Sequence, residues 1–376
     1  MPVITRRRAL LSTAGLLAAG AARAQAGDIP IGVPMALTGP YAFVGVPIRN
    51  GIVTALEQAN AAGTLWGKIR IIEADDNSDK GQAVTLTNRM ATVDKVLMIL
   101  GPTSSIEGTA AAPVANDLKV PMFTSAVSAD VLKAGPWSYK VTSSPADIMA
   151  ELGTYAAKTM AVKKAMFVFN RDNDGFVAQK NATRDTMKAA GVAVVGEEGI
   201  LGTDTDFVAL ATKLADSGAD CIFIASPAEQ GANLVIQARQ AGLPDSVRII
   251  APPSMASANF IKAGGRAVEG TVVVADYFEG ADTPINKAFV AAYRARYKQA
   301  PDNWAAVGYT LGSLAVAVLA AAGPGADRER VRAAFGSIKE TRTVLGRGTY
   351  AFGPDRAPHY GAAIIAVRNG AFVALD

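Results

Sequence analysis

Two short segments of this 376-residue chain collect side-chain hydroxyls: "GPTSSIEGT", Gly101 to Thr109, and "FTSAVS", Phe123 to Ser128. Each follows an apolar run, "VLMIL" and "VPM". Hydroxyls set where a buried strand gives way to a helix, beside free backbone N–H groups, have the chemistry to hold an anionic oxygen by neutral donors. Ser104 or Ser105 can cap the helix that follows, and the same serines also serve as ordinary caps and turn formers. Neither segment contains Lys, Arg or His, so a bound carboxylate would be met without a counter-charge in either loop.

Other chemistry has little material. The single cysteine, Cys221, lies in the apolar "ADCIFIAS" and reads as a small core thiol, and one cysteine excludes an internal disulfide or a thiolate metal cage. The single histidine, His359, has no partner for a zinc site or a Cys-His nucleophile. No cofactor or metal is expected. "IGVPMALTG" lacks the G-x-G-x-x-G spacing and no P-loop lysine motif occurs, so an enzyme on a nucleotide fold is disfavoured. Four of the 37 basic residues fall in residues 1–24, and the other 33 balance 33 acids, which leaves no basic footprint for nucleic acid or anionic lipid.

The elements that must position the hydroxyls alternate regularly. "IPIGVPMAL", "KIRIIEA", "VLMILG", "VPMFTS", "KKAMFVFN", "GVAVVGEEG", "ADCIFIAS", "VRIIAPP" and "EGTVVVAD" read as strands. Helical spacing separates them, with stops at Gly63, Gly191, Gly218 and Gly242. Strand and helix in alternation predict α/β lobes with parallel sheets, whose ligands sit at the carboxyl ends of the strands. There are too many units for one sheet. Two lobes are expected, with the chain crossing between them at Val141 to Asp147 and again after Asp276. "NWAAVGYTLGSLAVAVLAAAG" is apolar on nearly all sides and reads as a buried core helix, with a dimer contact as the alternative. From Thr349 the tail changes to short strands broken by Gly and Pro, a late antiparallel addition.

The order and spacing of "IGVPMALTGPYAFVG", "GPTSSIEGTAAAPVANDLKVPMFTSAVSADVL", "QARQAGL", "VGYTLGSLAVAVLAAAG" and "GTYAFGPD" resembles the periplasmic leucine/isoleucine/valine-binding family, the solute receptors of ABC importers. The resemblance spans essentially the whole chain after residue 24. It implies the type I periplasmic binding protein fold: two Rossmann-like, doubly wound lobes joined by three crossovers, closing on a ligand in the cleft. Lobe 1 would take residues 25–143 and 277–347, and lobe 2 residues 144–276 and 348–376, with the third crossover at Gly346 to Gly348. It further implies a monomer, a membrane permease as partner, and a small carboxylate as ligand, either an amino acid or an aromatic or aliphatic acid. A ligand-sensing receptor that signals to a membrane partner without transport is the alternative.

Position by position, the resemblance assigns the carboxylate-binding serine to Ser105 and the second ligand loop to Val127 and Ser128. Tyr41 or Phe43 would line the pocket from "TGPYAFVG". On the second lobe the matching positions are Asp174, Pro227 with Ala228, and Ser254. Where amino-acid binders place an acid for the ammonium, this chain has Pro253 and Ser254. A buried ammonium needs a partner. Either Asp174 supplies it, or Asp174 only shapes the "NRDNDG" turn and the ligand carries no amine. "EADDNSD", at Asp75 to Asp79, reads as a solvated turn beside the cleft.

Residues 1–24 carry Arg6, Arg7 and Arg8, an apolar run from Ala9 to Ala22 and small residues at Ala22 and Ala24, the pattern of an export signal cleaved after Ala24. Thr5-Arg6-Arg7 fits a twin-arginine signal, although Ala9 leaves the general secretory route open. The expected destination is the periplasm.

Overall fold

The computed structural model describes residues 27–375, so the expected export signal lies outside the described residues. The first half builds a parallel sheet from β1 (Ile29–Met35), β2 (Ile69–Asp75), β3 (Met98–Leu100), β4 (Met122–Thr124) and β5 (Ser138–Lys140), in the order β2-β1-β3-β4-β5. Helices α1 (Ala42–Ala62), α2 (Lys80–Thr92), α3 (Ser105–Asp117) and α4 (Asp130–Lys133) connect them. Two of these connections start with a side chain satisfying a free N–H. Asp79 caps α2, and Ser104 with Glu107 forms a capping box on α3.

The chain then crosses through Val141–Ser144 into α5 (Pro145–Lys158) and a second sheet. Its parallel part comprises β6 (Lys164–Asn170), β7 (Ala193–Ile200), β8 (Cys221–Ala225), β9 (Arg248–Ala251) and β10 (Val272–Ala275), separated by α6 (Asp174–Ala189), α7 (Val208–Asp216), α8 (Ala228–Gln240) and α9 (Ala258–Gly264). Strand β8 lies between neighbours and is buried at every position, whereas the edge strand β7 alternates exposed with half-buried residues. Cys221 is fully buried on β8, and burial pushes its thiol well up.

After β10 the chain returns to the first lobe. Helices α10 (Pro284–Tyr297), α11 (Asn303–Ala322) and α12 (Arg328–Ala334) share residues with the core formed by β1, β2 and α1. Helix α11 is the buried core helix expected from its apolar circumference. Small strands β11 (Thr341–Arg342), β12 (Thr349–Phe352) and β13 (Pro358–His359) follow. Then β14 (Ala363–Arg368) pairs antiparallel with β10, and β15 (Ala371–Ala374) closes the second sheet. The antiparallel tail is therefore present.

The last return falls later than Gly346 to Gly348. Tyr350 and Tyr360 stack at 5.7 Å in the first lobe's core, and Phe352 packs edge-on to Phe123 and Tyr139. These rings bind residues 348–360 to the first lobe, and the third crossover is Tyr360–Ala362. All three crossovers meet at the Tyr360 hydroxyl, which accepts the Ser143 N–H (3.0 Å) and donates to the Asp276 carboxylate (2.7 Å). Burial pushes the Asp276 carboxyl up, partly offset by that hydrogen bond.

Candidate functional site

In each sheet the first two strands lie side by side and the third follows on the other side of the first. That places a topological switch point between β1 and β3 in one lobe and between β6 and β8 in the other. The loops leaving the carboxyl ends of these strands hold most of the expected site residues. Gly101 makes the turn after β3 with φ +132°, and a Cβ there would lie 2.2 Å from the Pro34 carbonyl oxygen, so only glycine fits.

The two adjacent serines divide the work. Ser104 is the cap of α3: its hydroxyl accepts the Glu107 N–H at 3.3 Å, and Glu107 Oε2 accepts the Ser104 N–H at 2.8 Å. Ser105 takes no part in the cap. Its Oγ accepts the Val127 N–H at 3.2 Å and the Ser128 N–H at 3.1 Å, tying the β3 loop to the β4 loop. With both acceptor positions filled, the Ser105 proton has no partner among the described residues. The Ser128 hydroxyl accepts the Asp130 N–H at 3.2 Å. Thr124 and Ser125 brace the same turn through the Pro102 and Thr103 carbonyls, at 2.6 and 2.9 Å.

Other expected residues are spread along the rim. Tyr41 is half-buried at the cap position of α1, its N–H donating to Ser78 Oγ at 3.0 Å, and Phe43 is 71 % exposed. Pro227 is the exposed cap residue of α8, with Ala228 nearly buried behind it. Ser254 donates to the Ser226 carbonyl at 2.8 Å. Asp174 opens α6 just after the Asn173 cap, and its side chain lies outside the described residues.

A cavity of about 960 Å³ opens between the lobes beside the crossovers. Val127 reaches it from the first lobe, Thr142 and Ser143 from the first crossover, Asp276 and Tyr277 from the second, and Gln179 and Ser254 from the second lobe. Of the expected site residues it gathers Val127 and Ser254. The crossover residues read from sequence only as connections also face it.

One charged side chain behind the site was missed. Lys140 ends β5, is 2 % exposed, and donates from Nζ to the Val127 carbonyl at 2.6 Å. Burial lowers its pKa to about 8, against the opposing pull of Asp147. The available signal was a lysine inside "WSYKVT", where a strand of a parallel sheet should be apolar.

The acidic turn needs correction. Asp75 does shape a turn, accepting Leu37 N–H and Thr38 Oγ1–H at 2.9 and 2.7 Å. Asp76, however, is fully buried, with Oδ2 unpartnered, and the equally buried Glu107 leaves Oε1 unpartnered. Burial first and the Glu107 charge second push the Asp76 carboxyl up to about 7. Among the described residues, no group of three His, Cys, Asp or Glu side chains could hold a metal ion.

A family model described as periplasmic binding protein matches residues 28–371. The chain belongs to that family. It is 29 % identical over 331 residues to the Leu/Ile/Val-binding protein BraC3 of Rhizobium johnstonii, covering 86 % of this chain and 87 % of that one. It is 28 % identical over 287 residues to the Leu/Ile/Val-binding protein of Escherichia coli, covering 74 % and 76 %. The structure of a putative branched-chain amino acid ABC transporter protein from Rhodospirillum rubrum superposes with a TM-score of 0.86, at 25 % identity, over 93 % of this chain and all of that one. The two-lobed type I fold is thus that of the family, whose named members here are solute-binding proteins.

Proposed function

We propose that this periplasmic binding protein is the exported solute receptor of an ABC importer and captures a small carboxylate between its lobes. The observation that carries the reading is Ser105. Two backbone N–H groups fill its acceptor positions, so the hydroxyl proton is left to donate to a ligand, and a carboxylate is the ligand such a donor suits. The relatives named for leucine, isoleucine and valine support a branched-chain amino acid as the first candidate. A carboxylate without an amine is the second, favoured by the resemblance, which puts Pro253 and Ser254 where amino-acid binders carry an acid for the ammonium.

Thermal shifts with leucine, isoleucine, valine, benzoate and 4-methylpentanoate test this. A bound carboxylate at 100 times its Kd raises stability by about 2.7 kcal/mol. Ser105→Ala should weaken binding about ten- to a hundred-fold, corresponding to loss of a hydrogen bond to a charged group, and should also lower the unliganded midpoint, because the Val127 and Ser128 N–H groups lose their acceptor. Equal shifts for wild type and Ser105→Ala would remove the serine from the site.

Export gives a separate expectation. Mass spectrometry of the periplasmic protein should find a chain starting at Gln25. A chain that retains Met1 and stays in the cytoplasm would overturn the assignment of residues 1–24.

A further inference from the structure

We infer that Lys140 is a positioning residue for carboxylate recognition, acting on Ser105 through the peptide unit that joins Val127 to Ser128. The inference rests on the reading of Ser105 as the carboxylate donor. Its geometry is a continuous chain. The Lys140 ammonium donates to the Val127 carbonyl at 2.6 Å. The same peptide unit presents the Ser128 N–H, which donates to Ser105 Oγ at 3.1 Å. The Ser105 hydroxyl, its acceptor positions filled, is the last donor of the chain.

Hydrogen bonds in series polarise one another, and a charge at the head of the series strengthens each link. A cation on the carbonyl makes the N–H of that peptide a stronger donor, which in turn makes the Ser105 proton more acidic. The carboxylate would thus feel a positive charge that it never touches. This accounts for a lysine buried to 2 % exposure on a strand of a parallel sheet, with one carbonyl as its hydrogen-bond partner among the described residues. It also revises the expectation that neutral donors act alone.

The charges around β5 leave the chain intact. Asp147, in the first turn of α5, faces Lys140 from the second lobe and favours its charged form. On α4, Asp130 and Lys133 pair with each other at 2.6 Å. On α3, Glu107 is held by the Ser104 N–H, and Asp117 lies at the opposite end of the helix. Arg356 reaches in from the β12–β13 turn to the Ser138 and Leu132 carbonyls at 2.9 and 2.7 Å, and Arg332 lies over the Trp137 ring.

Calorimetric titration with 4-methylpentanoate and benzoate between pH 6.5 and 9.5 tests the inference, because both probes stay ionised throughout. Wild-type affinity should fall about tenfold as pH rises through 8 and Lys140 discharges, the difference between a charge-assisted and a neutral chain. Lys140→Met should bind about tenfold more weakly at pH 7 and show no pH step. Lys140→Gln keeps a donor without the charge and should also be flat, which covers the case in which Lys140→Met does not fold. A flat wild-type profile, with or without weaker binding by the variants, would overturn the inference and leave Ser105 in place. If no carboxylate of the panel, leucine included, binds wild type at any pH, the proposed function itself falls.

Discussion

Gly308→Ala is expected to destabilise the first lobe by about 3 kcal/mol or more, because α1 and α11 touch backbone to backbone. A Cβ at Gly308 would lie 2.0 Å from the Ile48 carbonyl oxygen, and one at Gly51 would lie 2.1 Å from the Ala305 carbonyl oxygen. No rotamer relieves a clash between a methyl and main chain, so the helices must separate and strip contacts from residues on both, such as Ile52 and Leu311, each fully buried. Denaturant unfolding followed by tryptophan fluorescence should show the loss. Gly336→Ala is the control, since nothing lies within 4 Å of its added methyl, and it should stay within about 0.5 kcal/mol of wild type. If the two variants unfold alike, the close helix contact does not carry the stability assigned to it.

Asp76→Asn should stabilise the protein, and by an amount that grows with pH. The folded state holds the Asp76 proton up to about pH 7, whereas the unfolded chain releases it near 3.8. Between those values the folded state binds more protons than the unfolded one, so wild-type stability falls as pH rises through that window, and the cost is complete above it. Asparagine keeps an oxygen for the Ser78 N–H, which Asp76 Oδ1 accepts at 3.0 Å, and removes one of two neighbouring buried carboxylates. The gain should be small at pH 4 and about 2 to 4 kcal/mol at pH 8. Stability curves of the two proteins that run parallel from pH 4 to pH 8 would show that Asp76 is ionised throughout.

Much of this architecture was legible because it depends on local periodicity. The alternation of apolar strands and amphipathic helices announced two parallel sheets. The all-round apolar face of α11 announced a core helix. What escaped depends on partners distant in sequence. Nothing near Tyr350 or Tyr360 in the chain indicates that their rings fill the first lobe, since their hydroxyls reach Lys140, Val141, Ser143 and Asp276 across 84 to 217 residues. Asp76 sits in a turn-forming sequence, and its burial beside Glu107 of α3 depends on elements distant in the chain. The hydroxyl-rich strand ends were visible, but which serine caps and which bridges follows from the spacing between the β3 and β4 loops, set by sheet register.

The threading of the chain through its crossovers bears on how the molecule is made. The first sheet is complete by Lys140, yet helices that fill its core arrive only at residues 284–334, and the rings that close it at Tyr350 and Tyr360. The second sheet waits for β14 and β15, the last strands in the chain. During synthesis, therefore, neither lobe can finish until almost the entire polypeptide has emerged, and the two should reach completion together. Contacts this distant in sequence cannot form before both partners have been made, which leaves the growing chain open and unassembled for most of its synthesis.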